Sequence, residues 1–344
     1  MAQQRATTQE EVQRRAAGLL GQVAGYIGFR TIHIGLQHGL FQAMAQRPEG
    51  AAPEELAAAL GLDPFYVGVW CRSAYAAEVL EHRDGRYRLP PAVATLLLDR
   101  ESPAWSGGLF QTMSEPEIFE RFSERLRSGE RLWWDQVSPA FIQAVSQTGR
   151  PFYTRLLGAG LAQVPGLTER LEAGADVLEL ACGVGDGLLR LAAAYPASRF
   201  LGIDGDAYSL SRAEESARAV GLGDRAAFRR STLEDLDVEG AFDVALINIS
   251  MHECRDIERV AGNVRRALRP GGTFVISDFA FPTSLEGCRT VPGRLMCGVQ
   301  FFEALIDDQL LPTEAFVALL GRHGFRDVGA FDLTPLHAVT YGTA

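Results

Sequence analysis

The residues that could do chemistry fall into three groups. The first runs from Val177 to Leu191, where an apolar stretch carrying one acid, Glu179, leads through Gly183, Gly185 and Gly187 into a helical pattern starting at Leu188. Glycine between a buried strand and a helix lets the backbone close on a ligand and take positive φ, so this order of elements makes a nucleotide-cofactor pocket. The second group is Asp204, which ends the apolar run 200–203. An acid at the end of a second strand commonly binds ribose hydroxyls in α/β folds. The third is His252 with Glu253, just past the apolar run 242–248. Open α/β sheets place ligands beyond the carboxyl ends of their strands, and imidazole titrates near neutrality. His252 can therefore take a hydroxyl proton as that oxygen attacks an electrophile.

Glycine spacing decides which cofactor the first group suits. A dinucleotide site reads G-x-G-x-x-G, with the pyrophosphate on the N-terminus of the next helix. Here the third glycine comes early, and Asp186 brings a negative charge to the helix mouth that would repel a pyrophosphate. Together with Glu179 it suits a ligand with a cationic amino acid end. The segment resembles motif I of the class I S-adenosylmethionine-dependent methyltransferases, acidic-x-Gly-x-Gly-x-Gly, with Ala181 standing at the first glycine. The run Leu-Arg-Pro-Gly-Gly-Thr-Phe-Val-Ile-Ser-Asp at 268–278 is also typical of that family. The resemblance implies S-adenosylmethionine as cofactor. Its contacts would be Glu179, Ala181, Gly183 and Gly185 in the turn, Asp204 and Gly205 at the ribose, and Thr232 and Leu233 at the adenine, with Asn248 and Tyr153 completing the set.

Residues 249–256 resemble the His-Asp-Trp-x-Asp segment of small-molecule O-methyltransferases, whose histidine is the general base. His252 and Glu253 match, and Cys254 stands where tryptophan is common. The resemblance implies O-methylation of a small molecule in specialised metabolism, with His252 and Glu253 as catalytic residues; the alternative is that His252 only packs the turn. In that family a helical connector and an insertion after the fifth strand wall the acceptor cavity, which implies Phe152, Arg289, Arg294, Phe301 and Phe302 as acceptor contacts. Two arginines would suit a carboxylate.

Two other functions stand beside this one. The first is C-methylation beside the ketone of a 2-oxo acid, with a metal on His252 and Glu253 and with Asp307 or Asp308 approaching. A metal needs about three convergent ligands, and His323 and His337 lie in the closing helix and strand, so the sequence assigns no metal site. The second, suggested by Ala181, is a non-catalytic cofactor-binding regulator.

The elements that must position these groups alternate. Apolar runs at 177–180, 200–203, from 228, at 242–248 and at 273–278 predict strands separated by helices, and a helix at 313–323 with strands near 328–333 and 337–341 closes the chain. The class is α/β, and the resemblance makes it a Rossmann-like seven-stranded methyltransferase sheet. Before it, Leu19, Leu20, Val23, Ile27, Ile34, Leu36, Leu40, Phe41 and Met44 recur at helical spacing broken by glycines. Then come a helix at 52–60 with Pro53 in its first turn, a turn with Asp63 as cap, a helix at 64–79 and a hairpin about Asp84-Gly85. Helix, turn, helix and hairpin make a winged helix.

A winged helix that bound DNA would need a basic face. Between Pro53 and Leu89, Arg72, Arg83, Arg86 and Arg88 face Glu54, Glu55, Asp63, Glu78, Glu81 and Asp84, so the module is acidic. The whole chain carries −10 with a pI near 5.2, which also speaks against a nucleic acid partner. The resemblance implies instead a homodimer through this N-terminal domain. The expected organisation is a flexible amino terminus at 1–15, a winged-helix dimerisation domain at 16–105, a helical connector over the active site at 106–165 and the cofactor domain at 166–344. The connector is rich in aromatic residues: Phe110, Phe119, Phe122, Trp133, Trp134, Phe141, Phe152 and Tyr153.

At 344 residues, 47% hydrophobic and 22% charged, the chain can fill two domains of ordinary globular composition. No run reaches the length of a membrane span, and the amino terminus lacks the apolar core of a signal peptide, so a cytoplasmic protein without a membrane partner is expected. Cys71, Cys182, Cys254, Cys288 and Cys297 are scattered without a C-x-x-C pair, which favours reduced thiols.

Overall fold

Two units, 1–114 and 115–344, make up the chain in a computed structural model that describes residues 8–132 and 136–344. The division places 106–114 of the expected connector with the first unit and 115–165 with the second. Trp133 and Trp134 lie outside the described residues.

In the first unit, α1 (Gln9–Gln37) starts where the Thr8 hydroxyl accepts the Glu11 amide at 3.2 Å. This cap satisfies a helix-end donor, so residues 9–15, expected to be flexible, are helical. Gly39, at φ +69°, turns the chain into α2 (Leu40–Ala45). Next come α3 (Pro53–Leu60) and α4 (Pro64–Ala76), each with proline in its first turn, and the Asp63 carboxylate caps α4 on the Tyr66 amide at 3.0 Å. The hairpin of β1 (Glu81–Arg83) and β2 (Arg86–Arg88) turns at Asp84 and Gly85, both at positive φ, and α5 (Pro91–Leu98) and α6 (Gly107–Thr112) follow. Phe41, Leu56 and Trp70 fill the core, and Trp70 Nε1 donates to the Thr31 carbonyl at 2.9 Å. The hairpin arginines are matched by acids, Arg86 by Glu55 and Arg88 by Glu81, each at 2.7 Å.

The second unit opens with α7 (Phe119–Arg125), α8 (Pro139–Arg155) and α9 (Leu167–Ala173). Strands and helices then alternate: β3 (Asp176–Leu180), α10 (Asp186–Ala194), β4 (Arg199–Asp204), α11 (Ala207–Ala219), β5 (Ala226–Arg230), β6 (Phe242–Asn248), α12 (Ile257–Ala267) and β7 (Leu268–Phe279). The insertion carries α13 (Val291–Leu305), and α14 (Thr313–Arg322), β8 (Arg326–Thr334) and β9 (His337–Thr343) close the chain. The seven strands lie in the order β5-β4-β3-β6-β7-β9-β8, parallel except at β9, which runs antiparallel to both its neighbours. Val177, Leu178, Val244, Ala245, Leu246 and Ile247 are buried, as continuous apolar strands must be when helices cover both faces. Each such valine, leucine or isoleucine contributes about 1.5–3 kcal/mol by leaving water.

Strand order reverses between β3 and β6, and a doubly wound sheet opens its ligand crevice beyond the carboxyl ends of the strands at that point. Both strands end there in a left-handed residue that is not glycine, Ala181 at φ +50° and Ile249 at φ +46°. For an alanine and a β-branched residue this conformation costs about 1–3 kcal/mol each, and such strain collects at functional sites.

Candidate active site

The last turn of α8 lies across the glycine turn after β3. Arg150 Nη1 donates to Asp186 Oδ1 at 2.7 Å, and the Tyr153 hydroxyl donates to Glu179 Oε1. The negative charge expected at the mouth of α10 is therefore matched by an arginine, and Asp186 alone does not set the charge a ligand meets. The Tyr153 ring fills the space that a Cβ on Gly187 would need. Gly187 thus admits the tyrosine, while Gly183 and Gly185 supply the positive φ values of the turn.

Glu179 is fully buried, and burial pushes its carboxyl up to about 8 although the Tyr153 hydrogen bond pulls the other way. Asp204, at the end of β4, accepts the Gly183 amide on Oδ2 and the Asp206 amide on Oδ1, both at 2.8 Å. Burial raises its carboxyl, and those amides oppose the rise. Asp204 thereby links the glycine turn to the start of α11. The Gly205 carbonyl accepts from Arg230 Nε at 3.0 Å. Thr232 is exposed and donates to Asp235 Oδ2 at 2.7 Å, whereas Leu233 is buried with its carbonyl on Asn263 Nδ2 at 3.0 Å.

His252 lies in the turn past β6 and is almost fully buried. Its Nδ1 is 2.7 Å from Asp278 Oδ1 at the end of β7, and its Nε2 is 3.6 Å from Glu303 Oε2 on α13. Among the described residues Nε2 has no hydrogen-bond partner. Burial disfavours a charged ring, but Asp278 and Glu303 outweigh it and hold His252 well above its ordinary value. Glu253 adjoins this group, and burial with Glu303 nearby raises its carboxyl. Asp278 ends a family-typical run, so its place was legible in the sequence; Glu303 belongs to no motif and was not.

Ligand-capable atoms of His252, Glu253 and Glu303 lie within 4.8 Å of one another. The second carboxylate of this cluster is therefore Glu303. Asp307, expected to approach, pairs with Arg131 at 2.5 Å instead, and Asp308 is pushed up to about 7 by burial and by Glu303.

The aromatic residues divide. Phe152 packs on Phe279 with ring centroids 5.2 Å apart and on His337 at 4.5 Å, and Phe279 packs on His252 at 5.6 Å. Phe302 is buried against Phe141, while Phe301 is partly exposed between Phe119 and Phe122. Of the arginines expected to meet an acceptor carboxylate, Arg289 is exposed and pairs with Glu286 in its own turn at 3.2 Å, and Arg294 is exposed too.

Residues 177–272 match the model of a methyltransferase domain, and residues 29–99 that of the Rv2258c-like winged helix-turn-helix domain. The chain is similar to 27-O-demethylrifamycin SV methyltransferase of Amycolatopsis mediterranei, 27% identical over 170 residues, which are 49% of this chain and 59% of that protein. It thus spans less than two thirds of that relative. Among solved structures, mitomycin 7-O-methyltransferase MmcR superposes with a TM-score of 0.72 at 18% identity, covering 97% of this chain and 99% of the other. Human N-acetylserotonin methyltransferase, in complex with S-adenosylmethionine, gives 0.67 at 15% identity, covering 100% of this chain and 99% of the other. The chain thus carries a methyltransferase domain at 177–272 behind a winged helix-turn-helix domain at 29–99, in a fold that it shares with these solved methyltransferases. Ala181, at the motif's first glycine, takes the left-handed conformation that a glycine takes freely.

Proposed function

We propose that the protein transfers a methyl group from S-adenosylmethionine to an oxygen of a small molecule, with His252 as general base. The observation that carries this reading is the buried His252–Asp278 pair, in which the ring's Nε2 is left without a hydrogen bond among the described residues. Asp278 holds Nδ1, which sets the tautomer and the ring plane and steadies the imidazolium that forms. An acceptor hydroxyl on Nε2 gives up its proton as its oxygen takes the methyl. Bound S-adenosylmethionine would supply that methyl from its sulfonium, the sulfur leaving as an uncharged thioether. The aromatic packing of Phe152 and Phe279 keeps water from the reacting oxygen and aligns it, and such positioning supplies much of the acceleration. Glu179, Asp204 and the glycine turn would hold the cofactor, with Thr232 and Leu233 near its adenine. Incubation with S-adenosylmethionine and a panel of phenols, carboxylic acids and 2-oxo acids, read by mass spectrometry, tests this. O-methyl products support the reading; C-methyl products alone reject it.

The His252, Glu253 and Glu303 cluster favours one second reading, C-methylation of a 2-oxo acid on a divalent metal. One nitrogen and two carboxylates suit such an ion. Stoichiometric metal in the purified protein, with activity lost to a chelator, would replace the first reading with this one.

We place the protein in the cytoplasm as a homodimer. Among the described residues the five cysteines form no disulfide, and no helix is long and apolar enough to cross a membrane. Leu19, Leu20, Val23, Tyr26 and Ile27 form an exposed apolar stripe on α1 that a second copy would cover.

A further inference from the structure

Two cysteines meet at the start of α13. Cys288 sits in the short helical turn Gly287–Arg289 that precedes the helix, and Cys297 lies in the second turn of α13 itself. The Thr290 hydroxyl ties the two elements together, donating to the Gly287 carbonyl at 2.8 Å and accepting the Gly293 amide at 3.1 Å. Gly293 is buried against the preceding turn, where a Cβ would stand 2.7 Å from the Cys288 Cα. Only a residue without a side chain lets the helix come so close. Helical side chains lean toward the N-terminus, and residues four apart stack on one face, so the Cys297 side chain lies over Gly293 and toward Cys288. The two thiols act on each other directly. Burial, and then the Cys288 thiol, hold the Cys297 thiol above its ordinary value.

The remaining cysteines are placed differently. Cys71 and Cys182 are buried, and the Cys254 thiol donates to the Ser250 carbonyl at 3.5 Å. Cys288 and Cys297 are half-buried, within reach of a small solute, and lie close in sequence, so a bond between them costs little chain entropy. Through α13 their separation bears on the candidate active site. Met296, next to Cys297, belongs to one buried cluster with Phe152 and Phe279, and Phe279 packs on His252. The far end of the same helix brings Glu303 to His252.

We propose that Cys288 and Cys297 are a site of reversible oxidation, closed to a disulfide by a small-molecule disulfide of the oxidised glutathione class, and that the closed form binds acceptor less well. The exchange balances. One cysteine, as thiolate, attacks a sulfur of the oxidant, breaks its S–S bond and expels a thiolate. The other cysteine then attacks the protein sulfur of that mixed disulfide, forms the Cys288–Cys297 bond and expels the second thiolate. Two electrons and the two thiol protons pass to the oxidant, which leaves as two thiols. Closing the bond draws Cys297 toward Cys288, and Met296 follows, which disturbs the packing beside His252. The disulfide is independent of the methyl-transfer reading; its effect on the acceptor rests on that reading under Proposed function.

Incubation of the full chain with mixtures of reduced and oxidised glutathione, followed by alkylation and peptide mapping by mass spectrometry, tests the site. Trypsin cuts at Arg289 and Arg294 and so parts the two cysteines unless a bond joins them. The natural protein should yield the linked pair, lost on treatment with dithiothreitol, while Cys288→Ser and Cys297→Ser should each retain a glutathione on the cysteine that remains. Glutathione kept on both cysteines of the natural protein, links to other cysteines, or two unmodified thiols in excess oxidant would each overturn the proposal, and this map needs no variant to fold. Initial rates with an acceptor that the natural protein methylates supply the second readout. Oxidation should raise the acceptor KM roughly threefold or more with S-adenosylmethionine affinity unchanged, and dithiothreitol should restore it. An unchanged KM in the fully linked protein overturns the coupling to the acceptor and not the disulfide. A reduced protein that methylates no acceptor defeats the reading under Proposed function and leaves the map to decide the disulfide.

Discussion

Asp278 at the end of β7 holds His252 through Nδ1 at 2.7 Å, joining the tips of neighbouring strands β6 and β7 in a buried pair. A carboxylate in that place raises the basicity of the ring and fixes Nε2 as the nitrogen left without a hydrogen bond among the described residues. Glu303, 3.6 Å from Nε2, adds to the first effect.

The first prediction concerns pH. With His252 held above its ordinary value by two carboxylates, turnover should rise with pH as the ring loses its proton, the limb lying above pH 6.5. Glu303→Gln removes one negative neighbour, so the ring's pKa falls and the limb moves to lower pH. Asp278→Asn should do the same and also cut kcat about 100-fold or more, by losing the tautomer control. Initial-rate profiles across pH 5–9 check both; a limb that stays in place in Glu303→Gln contradicts the assignment.

Binding of cofactor should release a proton. Burial holds Glu179 at about 8, so at pH 7 it is mostly protonated, and an ammonium placed beside it favours the carboxylate. Calorimetry at pH 7 in buffers of different ionisation enthalpy should show release of part of a proton, shrinking above pH 8. The same shift acts on stability. The folded protein keeps this proton where the unfolded chain sheds it near pH 4.5, so the contribution is full below that pH and is lost as pH rises through 8.

Ala181 at φ +50° predicts a stabilising substitution. Ala181→Gly relieves the left-handed strain and should raise stability by about 1 kcal/mol, or a melting temperature by about 2–4 °C for a unit of this size. A lower melting temperature would show that the alanine methyl contributes packing that outweighs the strain.

The apolar stripe on α1 predicts the oligomeric state. Light scattering should give twice the 37.4 kDa chain mass, and Leu19→Lys with Val23→Lys should give the single mass while the melting temperature of the cofactor unit stays near its original value. A natural protein of single mass would contradict the dimer.

Much of the frame was legible because it is periodic. Apolar strands at 177–180 and 242–248, the hairpin at Asp84-Gly85 and the cap at Asp63 all follow from local chemistry, and each forms as expected. The site was legible only where its residues close a motif, as Glu179, Asp204 and His252 do. Glu303 lies on an insertion helix without a motif, and His337 and Ser277 meet Asn248 only through strand pairing distant in sequence. Asp186 shows the same limit: its charge was readable, but its partner Arg150 is brought to it by α8. Arg289 shows the same limit, since its chemistry was readable but its pairing with Glu286 was not.

The most direct test of methyl transfer with His252 as base is a paired measurement on His252→Ala: turnover with an acceptor that the natural protein methylates, and S-adenosylmethionine affinity by calorimetry. Turnover should fall roughly 100- to 10,000-fold, the range of general-base catalysis, while cofactor affinity stays within about threefold. Near-normal turnover with unchanged affinity would contradict the role given to His252.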